Sequence, residues 1–272
     1  MMILAIVATL AAQAAPPARI VYDVPGMREA RVERNVVYSS PDGRQLRADI
    51  YTPAAGDGPW PIVLFISGAA QNPKDWPLYI SWGQLAAASG LAGVTLEHRL
   101  GFPERRYSEG AADISALVGY FKANGARHRV DAQRICLIVY SGGGPMWTVG
   151  LRDRDPSIRC LAGFYPFLST EHLNLTEAKT TKEVAAAHSP IAFLDRPGLV
   201  PMLVARAGRD QIPGVNASID AFVAEALRRN APIEVINHPE GRHGFDYLDD
   251  GPRTRAIIER VVSFLKTHLP AR

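Results

Sequence analysis

Residues 135–144 read Ile135-Cys136-Leu137-Ile138-Val139-Tyr140-Ser141-Gly142-Gly143-Gly144. The apolar run up to Val139 is short, rich in branched side chains and bounded on both sides, the pattern of a strand buried on both faces. A serine followed at once by three glycines marks a turn so sharp that larger neighbours would clash as the backbone folds on itself. A short helix is expected beyond it. Strand, sharp turn and helix are the repeating unit of a parallel sheet covered by helices.

The same alternation extends outward in both directions. Upstream, Asn35 to Tyr38 and Gln45 to Tyr51 flank the turn signal Pro41-Asp42-Gly43 and read as an antiparallel hairpin at the start of the sheet. Ile62 to Ile66 and Ala92 to Leu96 read as buried strands, separated by a helix from Leu78 to Ser89 and followed by an amphipathic helix from Glu109 to Asn124. Downstream, Ile158 to Phe164, Met202 to Ala205 and Ile233 to Ile236 read as strands, with helices at Val215 to Asn230 and Thr254 to His268. Between Phe167 and Leu199 the periodicity weakens, so a small insertion, in the position of a lid over one end of the sheet, is expected there. The fold class is therefore α/β, a mostly parallel sheet flanked by helices, with residues 34–272 as its domain and 15–33 as an N-terminal extension.

Composition narrows the partners. The chain has 272 residues, 47% of them hydrophobic and 21% charged, and a formal net charge of +3. So small a charge, with the basic residues dispersed, argues against a nucleic-acid surface. The pairs Arg105-Arg106 and the run Arg127-His128-Arg129 read as solvated surface, and His98, His188 and His238 as structural. Residues Met1 to Ala12 are apolar, no charge precedes Arg19, and Ala12-Gln13-Ala14 offers a small-x-small cleavage pattern, so residues 1–14 read as an export signal with the mature chain beginning near Ala15. The apolar run is far below the ~20 residues needed to span a bilayer, so no stable membrane insertion is expected after leader removal. Of the two cysteines, Cys136 and Cys160, each lies in a strand-like run and reads as a free, buried thiol, although a bridge between the two strands is geometrically conceivable. No Cys/His cluster has zinc-site spacing and no glycine-rich loop ends in Lys-Ser or Lys-Thr, so no metal or cofactor is expected.

In an open parallel sheet the loops leaving the carboxyl ends of the strands share one rim, where residues distant in sequence converge. Three of these loops carry Ser141, then Asp210 in Gly208-Arg209-Asp210, then His243 in Gly241-Arg242-His243-Gly244. A hydroxyl is a poor nucleophile until a base takes its proton, and an imidazole does so best with a carboxylate holding its tautomer. The expected roles are nucleophile for Ser141, general base and acid for His243, and orienter for Asp210. Asp246, Asp249 and Glu240 are weaker orienters because they lie on or beside the histidine loop itself. The backbone N–H of Gly142 is one expected oxyanion donor; Ala69, or second Ala70, in Ser67-Gly68-Ala69-Ala70 is the other. Trp76, Trp82 and Trp147 are candidate pocket residues.

With these loops in place, the chain resembles the α/β-hydrolase superfamily from about Asn35 to its C-terminus, and within it the esterase/lipase and dienelactone-hydrolase-like branches. Glu97-His98-Arg99-Leu100 with Phe102-Pro103, Asp113 in the next helix, Val130-Asp131-Ala132-Gln133-Arg134-Ile135 and His188-Ser189-Pro190 are similar to segments of those relatives. Two positions depart from the pattern: Val139 stands where a glycine is usual before the nucleophile, and Ser67 where the oxyanion loop usually opens with histidine. The resemblance implies a serine esterase that cleaves a small carboxylic ester or lactone through an acyl-enzyme. The alternatives are a peptidase of the same fold and a non-catalytic hydrolase-fold binding protein.

Overall fold

The computed structural model describes residues 18–68, 73–101, 104–171 and 173–270; the leader 1–14, with the expected cleavage site, lies outside them. Among the described residues, eight strands form one sheet in the order β1-β2-β4-β3-β5-β6-β7-β8. They are β1 (Arg31–Ser39), β2 (Leu46–Thr52), β3 (Trp60–Ile66), β4 (Ala92–Leu96), β5 (Val130–Tyr140), β6 (Ile158–Phe164), β7 (Met202–Ala207) and β8 (Ile233–His238). The expected hairpin is present: β1 and β2 pair antiparallel around the turn at Pro41–Gly43, and β2 then pairs antiparallel with β4. From β4 to β8 every pairing is parallel.

The helices are α1 (Pro77–Ala88), α2 (Tyr107–Asn124), α3 (Thr148–Leu151), α4 (Lys182–Ala187), α5 (Val215–Arg228), α6 (Phe245–Leu248) and α7 (Pro252–His268). Alternation along β6 shows that they cover both faces of the sheet. Trp82 of α1 and Phe245 of α6 pack on Phe164, while Gly150 of α3 lies against Leu161, three residues away on the same strand and so on the other face. Every residue of β3 and β4 is buried, as the continuous apolar runs require. The insertion 167–199 holds α4 and a 3-10 turn at Pro190–Phe193, with no long amphipathic helix among its described residues.

Two expectations are corrected. Cys136 and Cys160 are disulfide-bonded, not free. The register pairs them directly across the parallel strands β5 and β6, their Cα atoms 4.8 Å apart, which puts both sulfurs on one face within bonding reach. His128, read as part of a solvated basic run, is buried: its imidazole bonds to Glu33 and to the Tyr120 hydroxyl, both at 2.9 Å.

Candidate active site

Ser141 follows directly on β5 and opens a 3-10 turn, Ser141–Trp147. Its φ of 51° lies in the left-handed region, where a side chain is uncommon and the backbone is held by its surroundings. That conformation lifts Oγ out of the strand and toward the rim. The hydroxyl donates to His243 Nε2 at 2.9 Å, and His243 Nδ1–H donates to Asp210 Oδ2 at 2.7 Å. The carboxylate can only accept, which fixes the proton on Nδ1 and leaves the Nε2 lone pair to accept from the Ser141 hydroxyl. Asp210 follows β7 and its side chain is fully buried; its second oxygen accepts the Ile212 N–H at 2.8 Å. His243 follows β8, and its ring stacks obliquely on Tyr165, centroids 4.4 Å apart. The three residues singled out in sequence thus meet at the carboxyl ends of β5, β7 and β8.

The loop after β3 is pressed against this turn. A Cβ on Gly68 would stand 2.8 Å from Ser141 Cβ and 2.9 Å from Gly142 N, so only glycine fits. Gly142 N–H is therefore beside both Ser141 and the expected oxyanion loop; Ala69 and Ala70 lie outside the described residues. Ser67, departing from the usual histidine, shares a 2.8 Å hydrogen bond with the buried His98 imidazole. His98 Nδ1 accepts the Leu100 N–H at 3.3 Å, so its Nε2–H is the donor to Ser67. Burial pushes the His98 pKa down to about 4.

The cavity beside Ser141, about 300 Å³, is lined by Arg105, Tyr107, Gly142, Phe167, Leu173, Asn174, Glu177, Ala178, Ile212, Pro213 and Val215. None of the three tryptophans lines it. Trp147 is buried, donating to Ala162 O and packing on Phe222, and Trp82 is buried with its indole N–H on Asp246. Trp76 packs edge-on against Tyr79 and Tyr247. Large rings on helices next to the sheet found core partners instead of the rim. Arg105 moves the opposite way: read as solvated surface, it is half-buried in the cavity wall.

The competing carboxylates are engaged elsewhere. Asp249 accepts from Arg242 and Glu240 pairs with Arg209. Asp246 is fully buried and accepts from Trp82 Nε1 at 3.0 Å and the Tyr165 hydroxyl at 2.6 Å; burial, the largest cause, raises its pKa. Tyr165 thereby links a second buried carboxylate to the His243 ring. No motif in the sequence marks this link, because Tyr165 is reached only through the bend that follows β6. A larger groove, about 760 Å³, lies between the insertion and α5 and is not lined by Ser141, Asp210 or His243. Among the described residues, no helix is long and apolar enough to cross a membrane.

The family model BD-FAE matches residues 48–156. Isoprenylcysteine alpha-carbonyl methylesterase of Arabidopsis thaliana is 30% identical over 129 residues, 46% of this chain and 28% of that protein. A probable isoprenylcysteine alpha-carbonyl methylesterase of the same plant is 29% identical over 117 residues, 41% of this chain and 23% of that protein. The chain thus matches about a quarter of the length of these curated relatives. Esterase 2 of Thermogutta terrifontis, phosphonylated by sarin, superposes with a TM-score of 0.72 at 19% identity, covering 91% of this chain and 99% of the other. A dipeptidyl aminopeptidase IV homologue from Bacteroides ovatus gives a TM-score of 0.73 at 17% identity, covering 88% of this chain and 36% of the other. The sheet order, the helices on both faces and these superpositions give the chain the α/β-hydrolase fold.

Proposed function

We propose that the protein is a serine esterase acting on a small carboxylic ester or lactone. The observation that carries the reading is the relay from Ser141 Oγ through His243 to the buried Asp210, with hydrogen bonds of 2.9 and 2.7 Å. As Ser141 Oγ bonds to the ester carbon, its proton passes to His243 Nε2, and Asp210 stabilises the imidazolium. The carbonyl oxygen takes the negative charge and is met by the Gly142 N–H, with Ala69 or Ala70 as the second donor; removal of one such donor costs about 3 kcal/mol of barrier in comparable sites. Collapse breaks the bond to the alcohol, which leaves with the His243 proton. Water, deprotonated by the same nitrogen, then attacks the acyl-enzyme, releases the acid and returns the proton to Ser141.

Two likenesses support an esterase. The Arabidopsis relatives are named as methylesterases, and structures of the Thermogutta esterase contain propionate and butyrate. A peptidase reading rests on the Bacteroides neighbour alone, of which this chain covers 36%. We further propose that the leader 1–14 directs export, which sequencing the N-terminus of protein recovered from its host would test. The test of function is labelling by a fluorophosphonate, mapped by mass spectrometry, with turnover of p-nitrophenyl acetate set against peptide anilides. Label on Ser141 with ester turnover supports the reading. An unlabelled protein would be a binding module, and preference for anilides would make it a peptidase.

A further inference from the structure

Tyr165 is fixed at both ends beside the triad. Its backbone φ of 41° is left-handed, a conformation that a bulky side chain adopts only where its surroundings enforce it. Its N–H donates to Ala205 O of β7 at 2.7 Å, and the Phe167 N–H donates to Ser141 O at 2.9 Å. The bend after β6 is thus tied both to the strand that leads to Asp210 and to the Ser141 turn. At the far end of the buried ring, the hydroxyl donates to Asp246 Oδ1 at 2.6 Å. Held in this way, the ring lies with its centroid 4.4 Å from that of the His243 imidazole.

Asp246 is held as firmly. Its other oxygen accepts the Trp82 indole N–H at 3.0 Å, so each carboxylate oxygen meets a donor, as an ionised carboxylate needs in the interior. It makes no bond to the imidazole, whose Nδ1 and Nε2 are engaged by Asp210 and Ser141. The two groups nevertheless feel each other. Burial, the largest cause, raises the Asp246 pKa, while its hydrogen bonds to Tyr165 and Trp82 and the charge of His243 pull it back. Attraction between charges is mutual, so a charged Asp246 favours an imidazolium at His243 to the same degree. The phenol between them works in the same sense: an aromatic ring attracts a cation within about 6 Å of its centroid, and donating to a carboxylate enriches that ring in electrons.

We propose, resting on the hydrolase reading above, that Tyr165 and Asp246 are a positioning pair that holds the His243 ring and steadies the charge it gains when Ser141 gives up its proton. The pair matters most after acylation. The Ser141–His243 bond is then gone, and the bond to Asp210 alone would let the imidazole turn about it. The Tyr165 ring restricts that turn while water takes the place of the alcohol. No proton leaves Tyr165 or Asp246 in either step.

The test measures kcat/KM for p-nitrophenyl acetate, per active site titrated with a fluorophosphonate, in wild type, Tyr165→Phe, Asp246→Asn and the double variant. Tyr165→Phe keeps the ring and loses the link; Asp246→Asn keeps ring and hydroxyl and loses the charge. Each should lower kcat/KM about fivefold, and the double variant should be no worse than the singles, because both changes break one path. Trifluoromethyl propyl ketone, which adds to the serine oxygen and leaves its proton on the imidazole, should inhibit both single variants more weakly by the same factor. Methyl propyl ketone, which fills the cavity without adding, should bind all forms alike. A merely structural role would move both ketones together or neither. That result, a Tyr165→Phe variant within about twofold of wild type, or losses that multiply in the double variant to about twenty-fivefold, overturns the proposal. Should Asp246→Asn fail to fold, Tyr165→Phe and the two ketones decide alone. A wild type that neither turns over the ester nor takes the label at Ser141 overturns the hydrolase reading and this inference with it; a wild type that does both, with unaffected variants, overturns this inference by itself.

Discussion

His98 donates its Nε2–H to Ser67 Oγ at 2.8 Å, tying the loop after β4 to the loop that presents Gly68 to the Ser141 turn. The imidazole that usually opens this loop is absent from position 67 and is supplied instead from a neighbouring strand end. The bond requires a neutral ring, because Nδ1 is already accepting from Leu100 N–H.

Burial holds the His98 pKa at about 4, below the ordinary 6.5, so the unfolded chain binds more protons between these values. The contribution of His98 to stability is therefore complete above pH 6.5 and lost as pH falls toward 4, with about 2 kcal/mol gone by pH 5. His188, His238 and His268 are shifted in the same direction by burial and add to the trend. His98→Gln, which keeps a donor for Ser67 but does not titrate, isolates the one term. Urea denaturation at pH 7 and pH 5 should show wild type losing about 2 kcal/mol more than the variant. Equal losses would place the buried charge elsewhere.

Ser141→Ala and His243→Ala should each lower kcat by about 10⁴-fold or more, with circular dichroism unchanged, since neither substitution opens a core cavity. Their stabilities should differ from that of Ser141→Gly. With φ at 51°, Ser141 carries a strain that glycine relieves and alanine keeps. Ser141→Gly should therefore unfold at higher urea than Ser141→Ala, by about 1 kcal/mol. The reverse order would mean that the turn is not held left-handed.

Asp210 and Asp246 are both buried carboxylates near His243, and their environments assign them different work. Asp210 accepts the imidazole N–H, so Asp210→Asn should lower turnover about 10⁴-fold by favouring the wrong tautomer. Asp246 accepts from Trp82 and Tyr165 and makes no bond to the imidazole, and burial, the largest cause, raises its pKa. Asp246→Asn should cost about 1–3 kcal/mol of stability while reducing kcat far less than Asp210→Asn. If the two variants rank the other way, the orienting role belongs to Asp246.

The Cys136–Cys160 bridge has a direct chemical readout. Denatured, unreduced protein should take up no alkylating reagent, and reduced protein should take up two equivalents. Substituting both cysteines should cost about 2–4 kcal/mol, the usual worth of a bridge closing a loop of this size. Alkylation without prior reduction would restore the two free thiols expected from sequence.

What could be read from sequence divides along physical lines. The strands, the hairpin and the loops bearing Ser141, Asp210 and His243 were legible because buried parallel strands are written as short apolar runs and sharp turns demand glycine. Strand register was not, and the disulfide depends on register: Cys136 lies opposite Cys160 only once β5 and β6 are paired. Trp82 and Trp147, candidate pocket residues by sequence, pack in the core, because helical position alone does not say which face of the sheet a ring will meet. Arg105 was misplaced for a related reason. Its neighbour Arg106 is exposed, and only the close approach of the Gly142 backbone distinguishes the two.

Substrate length follows from the cavity's walls. The space beside Ser141, about 300 Å³, is bounded by Leu173, Asn174, Glu177 and Ala178 of the insertion and by Ile212, Pro213 and Val215 beyond Asp210. Among the described residues the insertion supplies the six-residue α4 and a 3-10 turn, and most of those between 171 and 183 are exposed, so they form no broad apolar lid to meet a lipid surface. Each methylene that enters the cavity removes apolar surface from water, worth about 0.8 kcal/mol, or roughly fourfold in kcat/KM. Once the walls are reached, further methylenes stay in solvent or collide, and the gain stops. Across p-nitrophenyl esters from acetate to palmitate, kcat/KM should therefore rise over the first few carbons and then fall. A maximum at palmitate, or activation by an oil–water interface, would show that long chains find another path, of which the groove between the insertion and α5, sharing Leu173 with this cavity, is the nearest.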